Sequence, residues 1–364
     1  MLALSCWLAV GERVLALEPV GEPIPACANP EPSSGRLAYD GLGYLAGGGG
    51  FLFTCANRLG RLDLTNRRLE LLPAETIIAG RPDGRLLVIG TPTFSGEASS
   101  PPDGGYLSAD GQTLVIVGVD HLEVRSASGA LLVSTSYAKG MVGGEADAFM
   151  VPSAMALAPD GQSVVIGFPR GLAQLWGVDG KLRHTFRGFP ITSADAADQG
   201  DGNIRFLAYH PDGQSFVAVS GDGRVNHWRL EGTLIRSFPT GLVAGTDAPR
   251  ADLSPDGTLL LVAPMEGRPA LWSLQGAQLL VLADPQAGDL PPSPPEAVRF
   301  SSDGTTLQVQ TLDEIQIWSR QGTLLQRLSR YNQGISLAGL SPDGHWLVGG
   351  SHEPDVKVRL WTLP

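Results

Sequence analysis

The sequence predicts an all-β fold, a single seven-bladed β-propeller of four-stranded antiparallel blades whose last blade is closed by an N-terminal strand. Three observations predict it. An Asp-Gly turn, most often Pro-Asp-Gly, recurs along the chain. A Trp recurs 15 to 18 residues after the later turns, and short β-rich runs flank both signals.

The turns fall at Asp83-Gly84, Asp110-Gly111, Asp160-Gly161, Asp212-Gly213, Asp256-Gly257, Asp303-Gly304 and Asp343-Gly344. Proline presets φ for the first turn residue and glycine accepts positive φ at the end, which is the chemistry of a type I hairpin turn closed by a glycine bulge. The second signal is Trp, three residues, then Gly: Trp176/Gly180, Trp228/Gly232, Trp272/Gly276 and Trp318/Gly322, with Trp361 ending the series and Arg125/Gly129 as a weaker copy. Each unit therefore reads as strand A, Asp-Gly turn, strand B, loop, strand C ending in Trp, Gly turn, strand D.

The expected blades span about 37–72, 76–134, 155–186, 206–238, 250–282, 297–328 and 336–364, with 12–17 (ERVLAL) supplying the missing outer strand of the last. Residues 76–90 make an A–B hairpin without its own C–D pair, so eight blades is the alternative count.

Here the chain resembles the WD-repeat family, in its degenerate bacterial form. Residues 206–230 carry the closest likeness, with Ser220, Asp222 and Trp228 where that family places a hydrogen-bonded Ser/Thr–Asp–Trp set. No Trp is followed by Asp and no Gly-His pair opens a repeat, so blade stability is expected to rest on packing. The resemblance implies a protein-interaction scaffold.

Composition fits this reading. Charged residues are 17% of the chain, with 47 glycines and 28 prolines, the profile of short strands joined by turns. The net charge of −11, without a basic cluster, argues against nucleic acid and against an anionic membrane surface. No run approaches the 18 apolar residues of a membrane span, and the first ten residues lack the basic start of a secretion signal. Cys6, Cys27 and Cys55 lack disulfide or zinc spacing, which fits a reducing, cytoplasmic setting.

A–B and C–D turns lie on one face of such a ring. The other face receives nearly all the extra length, about 91–105, 135–154, 187–204, 239–249 and 283–296. Those segments are acidic, with Asp284 and Glu296 among their carboxylates. The expected partner-binding residues are Asp195, Asp198, Asp201, Glu145, Asp147, Phe149 and Phe189, facing another protein with a basic surface. The protein is expected as a monomer or as an accessory subunit of a larger complex. No catalytic residue, metal ligand or cofactor is expected: there is no Gly-x-Ser-x-Gly elbow, no phosphate-binding Gly-Lys loop and no paired His spacing. The alternative is a lactonase-like propeller hydrolase working in the central channel, since such folds share these turns.

Overall fold

The computed structural model describes residues 152–187, 202–241, 249–284, 293–301 and 303–329 continuously. It also describes 105–108, 112–118, 121–126 and 130–137 and, elsewhere, the strands alone. Strands β1 (Leu15–Ala16) and β2 (Ile24–Ala28) come first. The first sheet is then β3 (Gly43–Tyr44), β4 (Gly50–Cys55), β5 (Arg58–Asp63) and β6 (Arg68–Leu71). The hairpin β7 (Thr76–Gly80) and β8 (Leu86–Gly90) stands as a two-stranded sheet. It is followed by β9 (Gly105–Leu107), β10 (Thr113–Val117), β11 (His121–Ser126) and β12 (Leu131–Ser136).

The middle of the chain repeats the pattern: β13 (Ala154–Leu157), β14 (Ser163–Gly167), β15 (Leu172–Gly177), β16 (Leu182–Arg187); then β17 (Ile204–Tyr209), β18 (Ser215–Ser220), β19 (Arg224–Arg229), β20 (Leu234–Pro239). Next come β21 (Arg250–Leu253), β22 (Leu259–Ala263), β23 (Ala270–Ser273), β24 (Gln278–Val281), and β25 (Pro295–Phe300), β26 (Thr306–Thr311), β27 (Glu314–Ser319), β28 (Leu324–Ser329). The last three strands are β29 (Ile335–Leu340), β30 (Trp346–Ser351) and β31 (Asp355–Thr362). Apart from the N-terminal strands β1 and β2, the strands of each sheet follow one another as an up-and-down antiparallel meander, and no α-helix occurs among the described residues. This is the build of a β-propeller of four-stranded blades.

The turns form for the reasons the sequence gives. Gly161, Gly213, Gly257 and Gly304 take φ near +70°, and each donates its N–H to the carbonyl three residues earlier at 2.8–2.9 Å. The turn aspartate then accepts the next N–H: Gln162 on Asp160, Gln214 on Asp212, Thr258 on Asp256 and Thr305 on Asp303, at 2.8–3.0 Å. At Gly257 a side chain would also meet His210 Nε2 of the preceding sheet at 2.4 Å. Every later Trp sits at a bulge in its C–D pairing, at Trp176, Trp228, Trp272 and Trp318. The glycine turn after it restores the register.

The core lies between sheets. Leu175 and Phe186 meet Phe216 and Trp228 of the next sheet, and Ile315, Ile317 and Leu328 meet Leu347 and Trp361. Innermost strands are neighbours: β13, β17, β21 and β25 run side by side, and β29 lies against β3, so the succession returns to its start.

Two features depart from the sequence expectation. First, an N-terminal strand closes the last sheet, but it is Ile24–Ala28 rather than 12–17: Ile24 pairs with Val358 and Ala28 with Asp355, antiparallel to β31. Leu15 and Ala16 instead pair in parallel with Gln326 and Arg327, adding a fifth strand to the β25–β28 sheet. The reason is reach. Every D strand is followed by a connection to the next A strand, and Ala28 to Gly43 is a step of the length that Val281 to Pro295 spans. Pro25, which has no N–H to give, sits at the bulge of this edge strand. Second, 76–134 does not make one sheet: β7–β8 remains a pair, and β9 supplies the inner strand beside β10. Among the described residues, seven sheets thus have four strands or more, and β7 runs next to β9 as the start of a truncated one.

Candidate functional site

Glu145, Asp147, Phe149, Phe189, Asp195, Asp198 and Asp201 all lie outside the described residues. Neighbours of theirs are described. Tyr137 is buried, donates its O–H to His121 O at 2.7 Å and meets Phe168 edge-on at 5.5 Å, so it caps the end of a sheet. Asn203 accepts the N–H of Arg170 at 3.2 Å, holding that residue at φ 61° in a conformation side chains resist.

A concavity on the long-loop face lies between the β21–β24 and β25–β28 sheets, with a volume of about 230 Å³. Much of its lining comes from the B–C ends at 267–269 and 311–314 and the D–A ends at 282–284 and 293–295, and Val309, Gln316 and Arg327 of the strands complete it. Arg327 of β28 reaches across it to ion-pair with Asp284 and, through Nε at 3.1 Å, with Glu314. Gln316 donates to Glu314 and accepts from Trp318 Nε1 at 3.0 Å, so the charge cluster is wired to the core indole. Ser293 donates its hydroxyl to Asp313.

Burial raises the Glu314 carboxyl above its ordinary range; the bond from Gln316 opposes this and the Asp313 charge adds to it. Burial lowers the Arg327 guanidinium by the same logic. Between the lining residues Thr311 and Asp313, Leu312 is 62% exposed, in the turn position that Gly221 occupies two sheets earlier. An apolar residue in a tight turn is the signal that could have pointed to this site, and the sequence expectations did not single it out. Arg327 gave none, because its partners come from separate places in the chain, the connection after β24 and the start of β27.

A second buried acid ties neighbouring sheets together. Asp252 accepts the N–H of Phe300 at 2.7 Å and of Leu253 at 3.0 Å. Burial pushes its carboxyl up to about 6, against the pull of the Phe300 bond and of Arg299. Among the described residues no group of three or more His, Cys, Asp or Glu is arranged to hold a metal ion, and no helix is long and apolar enough to cross a membrane.

The Ser220–Asp222 pair forms as expected, with Asp222 also accepting from Arg224 N at 3.0 Å. Trp228 is not part of it. Its indole packs on Phe186 at 5.8 Å, and Nε1 has no acceptor among the described residues.

Compared with known families, residues 180–229 match the model of the WD domain, G-beta repeat. That match runs from the turn before β16 to the end of β19. No curated protein matches the chain. The chain carries a WD repeat within a series of four-stranded antiparallel sheets, in support of a place in the WD-repeat family.

Proposed function

We propose that this protein is a non-catalytic interaction scaffold that binds a protein partner through its long-loop face. One observation carries the proposal: the cavity built by Asp284, Asp313, Glu314 and Arg327, with the exposed Leu312 between its lining residues Thr311 and Asp313, opens among the connections that hold nearly all the chain's extra length. An exposed leucine beside carboxylates offers an apolar anchor with a polar, acidic border, the arrangement that gives an interface both energy and selectivity for a basic surface. Propellers with WD repeats generally mediate protein–protein contacts, which supports the reading by analogy of fold. The partner is a protein with a basic, partly apolar patch, and the scaffold acts as a monomer or as a subunit of a larger assembly.

The test is affinity capture from native lysate with the intact protein and with Leu312→Asp/Asp313→Asn, both checked for folding by circular dichroism. A partner held by the intact protein and lost by the variant is the expected result. Equal capture by both would place binding elsewhere.

A further inference from the structure

The innermost strands of three consecutive sheets carry charges that partner binding on the loops does not use. Arg205 lies second in β17, Arg250 opens β21, and Arg299 is the fifth residue of β25; all three are exposed. Each of these strands has one hydrogen-bonded neighbour, β18, β22 or β26, so its other edge faces the middle of the ring. Both faces are covered by adjacent sheets, with Leu207 and Val298 buried beside the arginines. A side chain that is exposed in this setting reaches water along the axis or at its mouth.

The arginines are unengaged where the acids are not. None of the three makes a hydrogen bond or an ion pair within 4 Å with a described residue; Arg299 feels the buried Asp252 carboxyl only at longer range. The two carboxylates on the same strands are turned aside, Asp252 onto the Phe300 and Leu253 N–H groups and Glu296 onto Gln310 Nε2 at 3.1 Å. Elsewhere arginines are matched: Arg125 with Glu123, Arg183 with Asp179, Arg320 with Asp256, Arg327 with Asp284 and Glu314. A chain with net charge −11 has thus left three guanidiniums free of described partners on adjoining inner strands.

β17 neighbours β21, and β21 neighbours β25, with Cα atoms within 8 Å. Arg250 and Arg299 differ by about two residues in depth below the turn face, roughly 7 Å along a strand. Guanidiniums at that spacing suit oxyanions, each offering paired N–H donors to a carboxylate or phosphate. We propose that the central channel binds a small multivalent oxyanion, held by Arg205, Arg250 and Arg299, independently of any protein bound on the loops.

The experiment titrates inorganic tripolyphosphate and, in a separate arm, citrate into the full-length protein at constant ionic strength, followed by calorimetry and by the melting temperature. Binding of one or both is expected, with a raised melting temperature, and at least tenfold weaker binding by Arg205→Gln/Arg250→Gln/Arg299→Gln. Binding in one arm alone assigns the ligand as phosphate or as carboxylate. Single Arg250→Gln and Arg250→Lys variants serve if the triple variant does not fold; affinity falls most in the first, and less in the second, which keeps the charge but not the paired donors. No binding of either anion beyond matched sodium chloride, or undiminished binding by the glutamine variants, overturns the proposal. Leu312→Asp binds the anion as the parent does.

Discussion

The β17–β20 and β25–β28 sheets solve the same problem differently. The first is nearest in sequence to a family repeat, and its turn aspartate, Asp222, points back to Ser220. Its Trp228 is left without an acceptor and held by Phe186 and, through it, Phe216 at 4.8 Å. In the second, Asp313 turns out to Ser293, freeing the turn to shape a cavity. Trp318 is then satisfied locally, by Gln316 two residues before it on the same strand. Trp176 does the same with Gln174 at 3.0 Å, whereas the matching residue before Trp228 is Asn226, one methylene shorter. Trp176 and Trp318 are thus satisfied by a Gln two residues earlier on the same strand, whereas Trp228, preceded by Asn226, is not.

The largest test of this contrast is truncation of the two indoles. Trp318→Ala should cost about 3–5 kcal/mol, since the side chain is only 1% exposed and its loss opens a cavity. Trp228→Ala should fall at the low end of that range, because it strands no acceptor; denaturant unfolding of both variants measures the difference. Equal losses would mean the Gln316 bond adds nothing.

Asp252 comes next, because it joins the β21–β24 sheet to β25. Its carboxyl titrates near 6 in the fold against an ordinary 3.8, so the fold favours the protonated form. The associated stability is complete below about pH 4 and is lost as pH rises through 6, by roughly 3 kcal/mol for a two-unit shift. Asp252→Asn should flatten that part of the stability–pH curve, read as melting temperature from pH 3.5 to 7; an unchanged slope would assign it to other groups.

Gln316→Leu is the finer probe. It leaves Trp318 Nε1 buried without a partner, at about 1–3 kcal/mol, and removes the bond that holds Glu314 down, so the Glu314 carboxyl should titrate higher still. Carbon-detected NMR of the glutamates would follow it. The smallest effect belongs to β1: deleting residues 1–18 removes a two-residue parallel pairing and should shift stability by less than about 1 kcal/mol, whereas extending the deletion through Ala28 opens the last sheet.

Local chemistry was the legible part. Asp-Gly turns and Trp positions act within five residues of themselves, so 154–187, 204–239 and 250–281 read directly as four-stranded units. The closing strand did not, because 24–28 (IPACA) has poor strand propensity and earns its place only through a partner at the far end of the chain. The cavity was half legible. Asp284 stood out as a loop acid, but no pattern in the sequence pairs Arg327 with Asp284 and Glu314, which come from two sheets.

The pairing of β2 with β31 also governs the order of folding. More than three hundred residues separate Ala28 from Asp355, so this contact closes the longest loop in the molecule and yields nothing until both ends have formed. Sheets such as β13–β16 and β17–β20 can assemble on a nascent chain from local hairpins. The ring itself cannot. During synthesis β2 waits as an unpaired strand for roughly tens of seconds at ordinary elongation rates, a window in which its edge is open to a chaperone or to mispairing.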